Sequence, residues 1–341
     1  MNRCCFIVCW FGKLPVYFDV WMETCEYNPS FDYLVFTDAK EPSFHPLNVN
    51  FINMTLPEFV EKAQTAIGSS ISIKRPYRIC DFRPMFGKIF ETELQGYDFW
   101  GFCDIDVVFG DLKKFITDEI LNSYDAIFNG GHLSLLRNIE RINTLYMRSG
   151  GAFGYKSVIS HDAVFAFDEI TGIQQIAKKN GVKALYYVPY VETEIKYKQL
   201  RSRLEISNPQ YQAYYWKKGN LYRIKYDNGL IYRQNLAYMH LQKRKLYIDE
   251  TCGEIGDAFW VTPTGFCAMQ SDCCISKQLI DKVNPYEGDE ELKKQARKYR
   301  TKKIREILTR TPYQIYVRLC QEKNGINRNE GTIEERRWEK Y

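Results

Sequence analysis

Residues 97–106, Tyr-Asp-Phe-Trp-Gly-Phe-Cys-Asp-Ile-Asp, hold a nearly continuous apolar run that ends abruptly in two carboxylates, Asp104 and Asp106. A run of this length with no polar alternation reads as a strand covered on both faces, the pattern of a parallel sheet flanked by helices. Upstream, Cys4–Phe11 is a second such run, closed by Gly12-Lys13, and Tyr33–Phe36 is a third, stopped by Thr37-Asp38. Helical periodicity fills the intervals: Val16–Cys25, then Thr55–Ala66 opened by Thr55 or Pro57, then a segment starting at Pro84 with a Met85, Phe86, Ile89, Phe90, Leu94 stripe that Gly96 caps. Strands alternating with helices over the first 130 residues predict an α/β protein with a mostly parallel, doubly wound sheet.

Further along, Ala126–Phe128 reads as a short strand ending in Asn129-Gly130-Gly131-His132. Asp168–Asn180 reads as a helix closed by Gly181, and Lys183–Val188 as a strand. From Tyr214 to Leu241 the pattern changes to alternating segments separated by Lys-Lys-Gly-Asn and Asp-Asn-Gly turns, which predicts an antiparallel meander. Asn284-Pro285 marks a boundary. Beyond it, Lys293–Arg318 carries ten basic residues against the single acid Glu306, so the rest of a chain of formal net charge +5 is slightly acidic.

At 341 residues, 45% hydrophobic and 26% charged, the chain has ample material for a buried core, which excludes a disordered or fibrous protein. The longest apolar run near the start is too short to span a bilayer and lacks a cleavage pattern, so a cytoplasmic protein is expected. Eleven cysteines, an odd number, lie scattered in apolar stretches (Cys9, Cys103, Cys267) without a C-x-x-C motif; reduced thiols are the expectation, and a zinc framework is disfavoured. The 25 tyrosines offer polar handles suited to a sugar-binding surface.

Position gives Asp104 and Asp106 their interest. In an open parallel sheet, ligands bind beyond the carboxyl ends of strands, and carboxylates at i and i+2 leaving such an end can both reach one Mg²⁺ or Mn²⁺ carried by substrate phosphates. A solvated turn is the plainer use of the same residues. Seven stretches, this core included, resemble the GT-A class of glycosyltransferases, and in particular the bacterial enzymes that assemble capsular and surface polysaccharides. They are CCFIVCWFGKLP (4–15), FDYLVFTD (31–38), KRPYRICDFRPMFGKIFE (74–91), YDFWGFCDIDVVFGDL (97–112), NGGHLSLLRN (129–138) and FDEITG with YMHLQKRK (167–172, 238–245).

The resemblance implies a Rossmann-like GT-A domain over residues 1–285, with a nucleotide-sugar half to about 130 and an acceptor half after it, followed by a basic helical tail, 286–341. It implies a Leloir-type hexosyltransferase using a nucleotide-sugar donor, UDP-sugar by class, and a glycan or lipid-linked acceptor. Asp106 would be the principal ligand of Mn²⁺ or Mg²⁺, Asp104 its partner, and His240 the residue that completes the site. Asp38 would read the nucleoside, unless it is a turn residue. Lys243, with Arg244 and Lys245, would neutralise the leaving diphosphate.

Asp168 and Glu169 resemble the acidic pair that supplies the base in inverting members, although the usual order is Glu then Asp, and Asp168 could instead cap a helix. Gly130, Gly131 and His132 fall where the donor-sugar pocket forms, and Ser149-Gly150-Gly151 near the acceptor. Lys74, Arg75 and Arg78 could address phosphate or face solvent, while Arg83 and Lys88 lie in a matching stretch and are the preferred phosphate-side cations. The tail, with Leu292, Ala296 and Tyr299 at helical spacing, a second helix from Pro312 bearing Ile315, Tyr316 and Leu319, and Trp338 beyond, suits either packing on the domain or peripheral contact with an anionic membrane. No motif supports nucleic-acid binding. The rival readings are a nucleotidyltransferase, which would want a glycine-rich phosphate loop where only Phe11-Gly12-Lys13-Leu14-Pro15 stands, and a non-catalytic carbohydrate-binding or membrane-scaffold protein.

Overall fold

A computed structural model describes residues 2–253, 255–270, 274–324 and 339–340. The run quoted above forms β4 of a mixed sheet. In chain order its strands are β1 (Cys4–Trp10), β2 (Phe31–Thr37), β3 (Val49–Asn53), β4 (Phe99–Cys103), and, after β5 (Val107–Phe109), β6 (Ala126–Asn129), β7 (Leu133–Arg137) and β8 (Ala184–Leu185). Spatially the order is β3-β2-β1-β4-β7-β6-β8. β1 runs parallel to both β2 and β4, pairing Cys4 with Phe31 and with Phe99, and β7 alone breaks the pattern by lying antiparallel between β4 and β6.

Each face of this sheet is buried in its own hydrophobic cluster. Cys5, Ile7, Phe36, Trp100 and Phe102 face the helix Leu56–Ile67 and the segment 76–96, while Phe6, Val8, Tyr33, Val35 and Phe99 face the helix Phe18–Glu26. Coverage on both sides is why β4 shows no polar alternation. Gly101 is required within it: a Cβ there would lie 2.1 Å from the Ser134 carbonyl oxygen of β7. Of the two starts expected, Thr55 or Pro57, Thr55 is the cap of the helix Leu56–Ile67, and Glu58 caps reciprocally.

The meander forms a second sheet. β9 (Tyr190–Glu192) precedes β10 (Tyr211–Lys217), β11 (Asn220–Asp227) and β12 (Leu230–Leu236), and β13 (Tyr238–His240) follows. β14 (Tyr247–Asp249), β15 (Ala258–Thr262), β16 (Gly265–Ala268) and β17 (Glu339–Lys340) complete the order β14-β16-β15-β10-β11-β12-β17. Lys218-Gly219 and Asn228-Gly229 both have positive φ, the geometry of two-residue hairpin turns. A third sheet, β5-β13-β9, joins the first lobe to the second and determines the site described below.

Several expectations change. Pro84 does not start a helix; it lies inside a 3₁₀ segment, Pro76–Met85, that Pro76 opens, and only Phe86–Ile89 is regular α-helix. The cause is Arg78 and Asp81, both fully buried and paired. Arg78 also donates to the carbonyls of Val158 and His161, and Asp81 accepts from the N–H groups of Phe165 and Phe167. Arg78 is therefore a structural cation and does not address phosphate. The helix expected from Asp168 begins instead at Ile170, as a π-type turn, and becomes α-helical only at Gln175–Lys179. Lys183–Val188 shrinks to the two residues of β8. Cys267 is disulfide-bonded rather than reduced; such bonds persist in oxidising surroundings.

The basic segment forms two helices, Asp289–Leu308 and Pro312–Asn324, and packs back on the first lobe. Val317 is buried in the cluster around Phe165, Tyr313 stacks on His161, and Gln321 donates to the Phe165 carbonyl. Trp338 lies outside the described residues. Among those described, no helix is long and apolar enough to cross a membrane.

Candidate functional site

The chain leaves β1 toward β2 on one side and reaches β4 on the other, so the crevice beyond the carboxyl ends of β1 and β4 is a topological switch point. Asp104 and Asp106 stand there. Buried Ile105 between them anchors the segment in the core, and the bend at Ile105-Asp106 between β4 and β5 leaves both carboxylates within 3.6 Å of His240 Nε2. Asp104 N–H bonds the His132 carbonyl at 3.0 Å, while the Asp106 carbonyl accepts from Leu241 N–H at 2.9 Å and its side chain from Lys243 N–H at 3.2 Å.

Strand register brings in the third group. β13 pairs with β5 so that His240 stands opposite Val107, one residue beyond Asp106. His240 Nε2 lies 3.6 Å from Asp104 Oδ2 and 3.5 Å from Asp106 Oδ1, a set of two oxygens and one nitrogen of the kind that suits Mn²⁺ or Mg²⁺. Burial disfavours charge on His240, but the Asp106 and Asp104 carboxylates outweigh it and raise its pKa. Asp106 shows the reverse balance: burial works against its anion, yet His240 and the Lys243 N–H hold its pKa down.

Around this triad the remaining expected residues divide. Arg83 is inside, with its guanidinium pairing with Asp104, bonding the Gly131 carbonyl at 2.7 Å and reaching Asp168 Oδ2 at 3.2 Å. It ties a candidate metal ligand to a candidate base and does not stand free for phosphate. Asp168 is almost fully buried and points at Arg83, and no side-chain cap is formed at the start of the helix after it. Burial, reinforced by Glu169, Asp81 and Asp104 and opposed by Arg83, pushes its pKa well above the carboxylate range. Glu169 stands beside it against Gly131.

His132 lies behind the triad, its ring centroid 4.3 Å from that of His240. Lys243 takes positive φ, as does Gln242, and its ammonium lies over the Tyr77 ring, 5.4 Å from the centroid. Two consecutive non-glycine residues in that region mark a locally constrained loop wrapped around Asp106. Asp38 bonds Gly12 N–H across the ends of β2 and β1 and lines a hollow of about 530 Å³ with Gly12, Lys13, Leu14, Ala39 and Lys40. Lys88 is elsewhere. It pairs with Glu91 and Glu140 and borders a cleft against the helix Leu56–Ile67. Gly150 and Gly151 pack against Ile176.

Sequence reading misses Glu192, Tyr77 and the Tyr190–Tyr238 stack. Glu192 reaches the site only because β9 runs parallel to β13 in a register pairing Glu192 with His240, a non-local fact that no motif carries.

Residues 6–270 match the model of a family of unknown function, DUF6625. No curated protein matches. Among solved structures, the apo-form glycosyltransferase GlyE of Streptococcus pneumoniae TIGR4 is similar over 54% of this chain, at 11% identity and a TM-score of 0.26, too slight a likeness to bear on fold or activity. The match covers 45% of that protein, so the chain spans less than half its length.

Proposed function

We propose that this chain, which belongs to the family of unknown function DUF6625, is a divalent-cation-dependent glycosyltransferase of GT-A architecture. It would move a sugar from a nucleotide-sugar donor, with UDP as the first nucleotide to try, to a glycan or lipid-linked acceptor in surface-polysaccharide assembly. One observation carries the reading: Asp104, Asp106 and His240 converge at a topological switch point, where a diphosphate would lie. The strand order, with antiparallel β7 beside β4, agrees with it.

Asp104, Asp106 and His240 would hold Mn²⁺ or Mg²⁺, which when bound supplies charge stabilisation to the departing nucleoside diphosphate. Lys243, held beside Asp106 by its own backbone, is placed to add a second cation on the same side. The hollow at Asp38 accepts the nucleoside. Asp168 or Glu169 would take the acceptor proton in an inverting transfer; burial raises the pKa of Asp168, which makes its carboxylate a stronger base. Arg83 keeps Asp168 and Asp104 in fixed relation.

Beyond the crevice, Ile304, Ile307, Leu308, Ile315 and Leu319 are exposed among Lys302, Lys303 and Arg305, a surface suited to peripheral contact with an anionic bilayer that carries a lipid-linked acceptor. The test is a thermal-shift screen of nucleotide sugars with and without Mn²⁺. A donor should raise the melting temperature only when Mn²⁺ is present and not in Asp106→Ala, because a ligand stabilises the fold it prefers. Equal stabilisation of wild type and variant refutes the reading.

A further inference from the structure

We infer that His132, Glu192 and His240 form a second cation position, chemically suited to Zn²⁺, that shares the His240 imidazole with the Asp104–Asp106 position. One ligand atom from each of the three lies within 4.8 Å of the others. They come from three places: the loop between β6 and β7, the end of β9, and the end of β13. The β9–β13 register sets Glu192 directly beside His240, and His132 stacks against the His240 ring from behind, tilted 32°.

The surroundings of each residue favour ligation. Tyr238 Oη lies 3.0 Å from His132 Nδ1 and 3.5 Å from the Asn129 carbonyl. A hydroxyl donating to that carbonyl accepts from Nδ1–H, which leaves the lone pair of His132 on Nε2. A tautomer fixed in this way is the usual arrangement behind a ligating histidine. Glu192 is oriented through one oxygen, Oε1, which takes Arg203 at 3.1 Å and Gln242, so Oε2 can turn to a cation. His240 Nδ1 is buried and has no hydrogen-bond partner, an orphan that the Asp104–Asp106 position does not explain. Both residues are buried, His132 at 5% and His240 at 9% exposure, which limits competition from water for the nitrogens.

Donor chemistry separates the two positions. Two imidazoles and one carboxylate form a common zinc set, with room for a fourth ligand, and nitrogen donors favour Zn²⁺ over Mn²⁺ in the divalent series. Two carboxylates and one imidazole are the oxygen-rich alternative. A neutral imidazole has one lone pair, on Nε2 in one tautomer and on Nδ1 in the other, so the His240 ring cannot serve both cations at once. Zinc bound by His132 and Glu192 therefore removes the third ligand from Asp104 and Asp106, and Zn²⁺ competes with Mn²⁺. This competition rests on the function proposed above; the zinc position itself does not.

The experiment titrates the chelator-stripped full chain with Zn²⁺ by calorimetry and with Mn²⁺ by electron paramagnetic resonance. Wild type should bind Zn²⁺ at least tenfold more tightly than Mn²⁺. Glu192→Gln and His132→Asn should each weaken Zn²⁺ about tenfold to a hundredfold and leave Mn²⁺ unchanged. Asp106→Asn should do the opposite, and His240→Asn should weaken both. Zinc lost in Asp106→Asn but kept in Glu192→Gln overturns the inference, as does absence of zinc binding in wild type. If the variants fail to fold, X-ray absorption on the wild-type zinc complex decides: two imidazoles support the position, and one or none removes it. Zinc binding as described, with no binding of Mn²⁺ or any nucleotide sugar, would retain the position and reject the proposed function.

Discussion

Replacing Gly131 with alanine separates the candidate base from the rest of the crevice. Gly131 does not need glycine for its backbone, since its φ lies outside the left-handed region. An alanine Cβ would stand 2.8 Å from Glu169 Cγ and 3.1 Å from Asp168 Oδ2, where ordinary contact begins near 3.4 Å. Glu169 would therefore have to retreat by about 0.6 Å and Asp168 by about 0.3 Å, and Asp168 is further restrained by Arg83 at 3.2 Å. Misplacement of a reacting group by about 1 Å costs on the order of 10²-fold in rate, while overpacking of this size costs about 1–3 kcal/mol of stability. Once the screen has supplied a donor, release of the nucleoside diphosphate reports turnover. With displacements of about half that size, we expect kcat to fall by about tenfold, the KM for the donor and Mn²⁺ affinity to hold, and Gly154→Ala, whose Cβ meets nothing within 4 Å, to behave as wild type. A Gly131→Ala enzyme with kcat within about twofold of wild type and an unchanged melting temperature would refute the assignment of Asp168 and Glu169 to proton transfer.

Further expectations concern the scaffold and the surface. Asp81→Ala leaves Arg78 buried without its partner and strips an acceptor from two backbone N–H groups, so denaturant unfolding should show a loss of about 3–5 kcal/mol, whereas Arg78→Met with Asp81→Asn, which keeps a side-chain oxygen for one of those N–H groups, should lose less. Burial raises the Cys4 and Cys80 thiols to about 12, so both should escape alkylation of the native protein at pH 8. With folded values above unfolded ones, their contribution to stability is fully present below about pH 8.5 and is lost as pH rises toward 12, which an alkaline unfolding series would read. Vesicles rich in phosphatidylserine should sediment the protein at low salt and release it at high salt, and Ile307→Asp with Leu308→Asp should abolish sedimentation if the exposed helix face makes the contact.

The first lobe was legible because its signals are local. The apolar run at β4, the turn residues of the meander and the helix start at Thr55 or Pro57 each name their own structure. The helix expected from Pro84 to Gly96 fails at its start because the helical stripe is real but the preceding backbone is set by Arg78 and Asp81, whose partners lie about eighty residues away. Asp168 was ambiguous for the same reason: a carboxylate just before a helix reads as a cap, and only the tertiary approach of Arg83 shows where it points. Asp104 and Asp106 could be placed from strand polarity alone. His240 needed the resemblance, and Glu192 needed the β9–β13 register.

Direct titration of Mn²⁺, followed by electron paramagnetic resonance in the presence of UDP, addresses the central claim with fewest intermediate steps. The account requires one Mn²⁺ bound to wild type, with affinity strengthened by UDP, and that binding lost in Asp106→Ala and in His240→Ala. Mn²⁺ and UDP binding that is independent of each other, or that survives in Asp106→Ala, would contradict it.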